Sequence, residues 1–314
     1  MWRSISRLTR PCLAAASVVA ARATLTLAEP SPPPHATPSA AVASSSFESL
    51  LGRVASLETV LLHGSPANFV VVSCTFYPNM ADPRFKLGVE ACRRAKALGI
   101  RLLLVDASPP EVREALREAG AEVHVQTARG RKGAALREAI GIARSQLPPD
   151  GVICFQELEK VEMIGLQREV AAYVVSSGCD VCVPRRDDSL FRRSYPIEQY
   201  HSENFVNRYL DTLGSAVGLP TLDWTFGPVA FRAAAASFWL QNDGELWDAQ
   251  IVPFIRAARW GGARCEGLQV QYSHPEPMKR EEEGVAAWSE KRLMQLNFLF
   301  KEVGGALKEE APPA

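Results

Sequence analysis

Phe69-Val-Val-Val-Ser-Cys-Thr75 is a short, apolar, β-branched run, and Arg84 to Leu98 after it carries apolar positions at helical spacing and stops at Gly99. That is a strand followed by a helix. The alternation then repeats: Ile100 to Asp106 is a strand, Pro109 to Ala119 a helix, Glu122 to Gln126 a strand and Gly133 to Gln146 a helix. Gly151 to Phe155, Val161 to Ser177 and Asp180 to Pro184 continue it as strand, helix and strand. Strands that are apolar on both sides and separated by helices are what a parallel sheet covered on both faces requires. The fold class is therefore α/β, a mostly parallel central sheet with helices on both faces.

Beyond Pro184 the rhythm loosens. An arginine-rich loop, Arg185 to Arg193, leads into a long amphipathic helix from Pro196 to Val217, and Phe226 to Phe231 reads as a strand. Helical stretches follow at Ala233 to Trp239 and Glu245 to Arg259, then a strand near Leu268 to Gln271 and one helix from Glu283 to Val303.

The 314 residues are 47% hydrophobic and 22% charged, enough to bury a core and unlike a disordered chain. Lys+Arg and Asp+Glu both number 35, which argues against a nucleic-acid binder with a broad basic surface. The balance is uneven along the chain: residues 1 to 46 hold Arg3, Arg7, Arg10 and Arg22 against Glu29 alone, so the rest is mildly acidic. An Arg- and Ser-containing segment free of acid until Glu29 has the composition of a transit peptide, here residues 1 to 29. Mitochondrial import is the expectation, with a plastid or the secretory pathway as alternatives. The apolar run Cys12 to Ala21 is too short to span a bilayer, so no transmembrane segment is expected. Residues 30 to 46 form a Pro/Ser/Ala linker, the folded domain is expected over 47 to 305, and 306 to 314 make a disordered tail. Seven cysteines scattered through a chain this long suit a reducing compartment, and the Cys179/Cys182 pair lies in a strand with no further ligands nearby.

Ligands of open α/β sheets bind at the carboxyl ends of the strands, so the residues that follow each strand carry the chemistry. They are Ser73-Cys-Thr-Phe-Tyr-Pro78, Val105-Asp-Ala-Ser108, Ala128-Arg-Gly-Arg-Lys-Gly-Ala-Ala-Leu136 and Cys154-Phe-Gln-Glu-Leu-Glu-Lys160. In this order they resemble a family 2 type glycosyltransferase with the GT-A fold, a nucleotide-diphospho-sugar transferase. Asp243-Gly-Glu-Leu-Trp-Asp248, ahead of a helix ending Arg256-Ala-Ala-Arg-Trp-Gly261, is similar to that family's acidic acceptor-side motif. The resemblance spans about Phe69 to Gln271 and implies a single GT-A-like domain, a nucleotide-sugar donor and an acceptor hydroxyl.

It also implies roles. Asp106 would meet the nucleotide base, although an acid there equally suits a turn or helix cap. Arg129, Arg131, Lys132 and Gly133 would contact nucleotide or phosphate where a loop enters a helix, or form a solvated basic turn. Glu157-Leu-Glu159 stands where the family has Asp-x-Asp on a divalent ion, Mn or Mg, with His274 as a candidate third ligand. The spacing places both carboxylates on one side if the strand continues; capping of the next helix is the other reading. Asp248, then Glu245, are the candidates for a general base, although acids in the first turn of a helix are common for dipole reasons alone. Arg185, Arg186, Arg192 and Arg193 could close over a diphosphate or form an exposed charged loop, and Asp223-Trp-Thr-Phe-Gly-Pro228 has the content of a sugar-stacking wall and equally of a packed turn. The departure from Asp-x-Asp also allows a non-catalytic relative that binds a nucleotide sugar or a protein partner. A nucleotidyltransferase would need its basic glycine loop after the first strand, where Ser73 to Pro78 has neither Gly nor Lys.

Overall fold

The computed structural model describes residues 68–128 and 131–310. The expected transit peptide, linker, domain start and last tail residues lie outside them, as does Arg129. Seven strands form one sheet: β1 Phe69–Thr75, β2 Leu102–Asp106, β3 Glu122–Val125, β4 Val152–Phe155, β5 Val181–Arg186, β6 Val229–Arg232 and β7 Cys265–Val270. Their order is β3-β2-β1-β4-β6-β5-β7. The pairs β1·β2, β1·β4, β2·β3 and β5·β7 are parallel, whereas β6 runs antiparallel to both β4 and β5. This is a mostly parallel α/β domain of GT-A-like architecture.

The helices are α1 Pro83–Ala97, α2 Pro110–Glu118, α3 Lys132–Gln146, α4 Val161–Ser177, α5 Asp188–Ser194, α6 Ile197–Ser215, α7 Ser237–Leu240, α8 Asp248–Gly261, α9 Glu276–Glu282 and α10 Ala286–Ala306. Among the described residues no helix is long and apolar enough to cross a membrane.

Two apolar cores account for the unbroken hydrophobicity of the central strands. Side chains alternate across a strand, so Val70, Val72, Leu103, Val105, Ile153 and Phe155 face a core with α3, α6, α8 and α10. Val71, Leu102, Leu104, Val152 and Cys154 face the other core, with α1, α2 and α4. Each fully buried aliphatic side chain contributes about 1.5–3 kcal/mol by leaving water, which fixes the sheet between its two helical layers. In the first core Trp239 stacks on Phe231 with ring centroids 3.7 Å apart.

One expectation is corrected. The arginine-rich segment is not a loop: β5 continues through Arg186, and α5 begins at Asp188 with the Asp187 side chain accepting from the Leu190 N–H at 3.0 Å. The expected last helix, Glu283 to Val303, is α10, set off from the short α9 by Gly284, whose φ of +73° is left-handed.

Candidate functional site

Because β6 is reversed, its first residues share an edge with the carboxyl ends of β1, β2, β4 and β5. Phe155 at the end of β4 pairs with Val229 at the start of β6. Thr75, Asp106, Gln156 to Lys160, Arg186 and the Phe226-Gly227-Pro228 turn therefore collect at one side of the sheet.

Asp106 ends β2 and is fully buried. Its Oδ2 accepts from Thr75 Oγ1 at 2.5 Å and from Ser108 Oγ at 2.9 Å, and its Oδ1 accepts from the Ser108 N–H at 2.8 Å. Ser108 Oγ in turn accepts from the Tyr77 N–H at 2.8 Å. The carboxylate thus ties the ends of β1 and β2 together.

Lys132, the first residue of α3, reaches Glu157 with Nζ 2.9 Å from Oε1. Lys160 approaches the other oxygen, its Nζ 3.2 Å from Oε2. Burial pushes the Glu157 carboxyl up, but the two ammoniums outweigh it and hold the group well below the ordinary glutamate range. Lys132 also lies over the Phe155 ring at 5.4 Å, and Lys160 over Phe226 at 5.7 Å. Across from them, Gly227 lies so close that a Cβ there would be 2.8 Å from Glu157 Oε2 and 3.2 Å from Gln250 Nε2. With φ +102° this position favours glycine on conformational grounds as well.

Glu159 has other neighbours. Tyr77 is pushed well above the usual phenol range by burial, then by Glu159, while Arg84 pulls it back. Arg84 and Lys291 also feel the Glu159 charge. β4 stops at Phe155, so the strand does not continue through Glu157-Leu-Glu159. The half-buried Cys74 thiol at the end of β1 records the joint location of these groups: burial lifts it to about 11, Lys132 opposes the rise, and Glu157 and Glu159 add to it.

His274 follows β7, stacks on Tyr195 at 4.4 Å and lines a cleft of about 660 Å³ with Val161, Glu162 and Arg193. Its Nε2 is buried without a hydrogen bond. Among the described residues no three His, Cys, Asp or Glu side chains gather as a metal-binding group. Hard divalent cations need several oxygen ligands at about 2.0–2.6 Å. Here one carboxylate has an ammonium at each oxygen, the second acts on Tyr77, and the histidine is stacked on a tyrosine. The residues present do not fit the divalent ion that the resemblance implied.

The acidic acceptor-side motif packs on the start of α3. Glu245 Oε2 accepts from the Arg131 N–H at 2.6 Å and its Oε1 from Arg137, while the Gly133 N–H donates to the Glu245 carbonyl at 3.2 Å. A Cβ at Gly133 would collide with the Gly244 carbonyl oxygen, so glycine is needed for this contact. Burial raises the Glu245 carboxyl, yet the Arg131 N–H and Arg137 outweigh it and leave the group below its ordinary value. Asp248, at the start of α8, accepts from the Leu246 N–H at 2.8 Å through Oδ1.

One further expectation changes. Arg186 is not available to a ligand: its side chain is 1% exposed, with Nε 2.7 Å from Asp223 and Nη1 2.8 Å from Glu203, and it lies 3.6 Å from the Phe191 ring centre. Of the two readings of Asp223 to Pro228, Trp224 fits the packed turn: it is buried, packs on Phe254 and donates from Nε1 to Asp211 at 2.8 Å. Sequence reasoning missed Lys160, Gly227 and Gln250. Lys160 had a signal, its i,i+3 spacing from Glu157; Gln250, in an apolar helix, had none.

Among solved structures, the chain is similar to glucosyl-3-phosphoglycerate synthase of Mycobacterium tuberculosis, with TM-score 0.51 and 12% identity over 80% of this chain and 84% of that one. The same enzyme with Mn²⁺, uridine diphosphate and glucosyl-3-phosphoglycerate matches at TM-score 0.44 and 13% identity, covering 79% and 81%. Mannosyl-3-phosphoglycerate synthase from Rubrobacter xylanophilus matches at 0.43 and 12%, covering 82% and 81%. No family model and no curated protein sequence matches the chain. At this identity the likeness concerns architecture: the fold is the GT-A-like fold of nucleotide-sugar transferases.

Proposed function

We propose that the protein is a glycosyltransferase that moves a sugar from a nucleotide-diphosphate donor to an acceptor hydroxyl. One observation carries this reading: Lys132 and Glu157, from two different strand-to-helix connections, meet at 2.9 Å on the carboxyl edge of a GT-A-like sheet. That edge is where open α/β sheets bind ligands. Asp106 fixes the connections after β1 and β2 through Thr75 and Ser108, and Lys132 faces the donor phosphates.

In an inverting transfer the acceptor oxygen bonds to the anomeric carbon as the bond to the diphosphate oxygen breaks. The hydroxyl proton then needs a base. Asp248 is the better of the two candidates, because the Glu245 carboxylate is already taken by Arg137 and the Arg131 N–H. A second reading, a non-catalytic nucleotide-sugar-binding protein, is favoured by Glu157-Leu-Glu159 in place of Asp-x-Asp.

A thermal-shift screen with UDP-, GDP- and dTDP-sugars tests the binding part of the proposal. At least one donor is expected to raise the melting temperature; a flat response to all three sinks it. Nucleoside diphosphate release in the presence of acceptor hydroxyls separates the catalytic reading from the non-catalytic one. Import into mitochondria is proposed from the acid-free Arg/Ser/Ala segment before Glu29. A fusion of residues 1 to 46 to a fluorescent protein that stayed diffuse in the cytosol would defeat it.

A further inference from the structure

We infer that this site holds the donor's diphosphate with the ammonium groups of Lys132 and Lys160 in place of a divalent cation, and that Glu157 is their internal counter-ion when no donor is bound. The inference rests on the nucleotide-sugar reading and concerns how that ligand is held.

The charges point this way first. A diphosphate diester carries about two negative charges at neutral pH, which two lysines match, and an unliganded pair of adjacent ammoniums needs an anion between them. Glu157 fills that place, with one ammonium on each carboxylate oxygen, at 2.9 and 3.2 Å. A phosphoryl group presents two oxygens in much the same fashion.

The lysines also have support of their own. Lys132 lies over Phe155 and Lys160 over Phe226, so cation–π contacts from β4 and from the turn before β6 hold both ammoniums without help from Glu157. Their side chains remain 25% and 23% exposed, which leaves them open to a ligand. Glu157 itself is less firmly kept. Its Oε2 is buried and makes no hydrogen bond, having only the 3.2 Å ion pair with Lys160. A bound diphosphate would take both ammoniums over from the carboxylate, so the Glu157 ion pairs are exchanged for phosphate contacts and oppose binding.

A divalent cation, by contrast, fits the site poorly. A metal ion on Glu157 would share its carboxylate with two ammoniums already in contact with it, and among the described residues no three His, Cys, Asp or Glu side chains gather to complete its coordination. Fixed ammoniums supply the positive charge at the leaving diphosphate without that conflict.

The two accounts predict opposite signs for one substitution. If Glu157 were a metal ligand, Glu157→Gln would weaken nucleotide binding. As a counter-ion that competes with the diphosphate, its loss should strengthen it. The experiment is isothermal titration of the full chain with UDP, GDP and dTDP, each in excess EDTA and in excess Mn²⁺. Expected are equal affinities in the two buffers, about threefold tighter binding by Glu157→Gln, and roughly tenfold or greater losses in Lys132→Ala and Lys160→Ala. Lys132→Arg keeps the charge and should retain most of the affinity, which separates a lost ammonium from a lost fold. Binding that requires Mn²⁺, or that Glu157→Gln abolishes, overturns the inference while leaving the nucleotide-sugar reading intact. If none of the three nucleotides binds in either buffer, the nucleotide-sugar reading fails and this inference fails with it.

Discussion

Lys132 Nζ and Glu157 Oε1 lie 2.9 Å apart although 25 residues separate them, and the contact joins the start of α3 to the turn after β4. Its effect on acid stability has a definite sign. Lys132 and Lys160 depress the Glu157 carboxyl below its ordinary value of 4.5, against the upward push of burial. The folded state therefore favours the charged form, so the contribution is complete above the ordinary value and is lost as pH falls toward the depressed one. Melting temperatures followed down the pH scale should show wild type losing ground to Glu157→Gln below about 4.5. Parallel curves for the two proteins would show that the pair contributes nothing to acid stability.

The Arg186 network makes a prediction about stability alone. Arg186→Met leaves Asp223 and Glu203 buried without their cation, which should cost about 3–5 kcal/mol. Denaturant unfolding measures it. A loss below about 1 kcal/mol, the scale of an exposed ion pair, would mean that water reaches these carboxylates.

His274 should stay neutral through the physiological range. Burial, reinforced by Lys160, Arg186 and Arg292, brings it from 6.5 down to about 3. The unfolded chain takes up the proton first, so this residue's effect is absent above about 6.5. Below that, stability declines as pH falls, by up to about 1.4 kcal/mol per unit, until the folded-state value is reached. NMR of the imidazole ring should show no titration between pH 5 and 8; a midpoint near 6.5 would contradict its burial against Tyr195.

Much of the fold was legible because each central strand is an apolar run bounded by Gly, Pro or a polar cluster. Strand direction was not: Val229–Arg232 reads the same either way, and only its register against Val152–Phe155 reveals the reversal. The arginine segment misled because its local charge points to solvent, whereas Arg186 is buried by Asp223 and Glu203, 37 and 17 residues away. The candidate site was partly legible. Lys132 and Glu157 could be placed at one edge from the strand order, but the divergence of Glu157 and Glu159 depends on β4 ending at Phe155, beyond which two-residue spacing no longer means a shared face.

Catalysis separates the two acids of the acceptor-side motif. Asp248→Asn is nearly isosteric and should lower turnover by about 10² to 10⁴ while donor affinity is kept. Glu245→Gln should instead loosen the Asn242-to-Leu246 loop from α3, since Glu245 binds the Arg131 N–H and Arg137 there. Faster amide exchange over residues 131 to 136, with turnover largely retained, is the expected result. Normal turnover in Asp248→Asn would reject it as the base.

The position of a bound nucleotide decides where the donor site lies. A crystal structure of the protein with UDP or GDP should place the diphosphate within hydrogen-bonding distance of Lys132 Nζ, at the edge formed by the ends of β1, β2 and β4 and the turn before β6. A nucleotide bound at the opposite edge of the sheet, or on one of the helical faces, would contradict it.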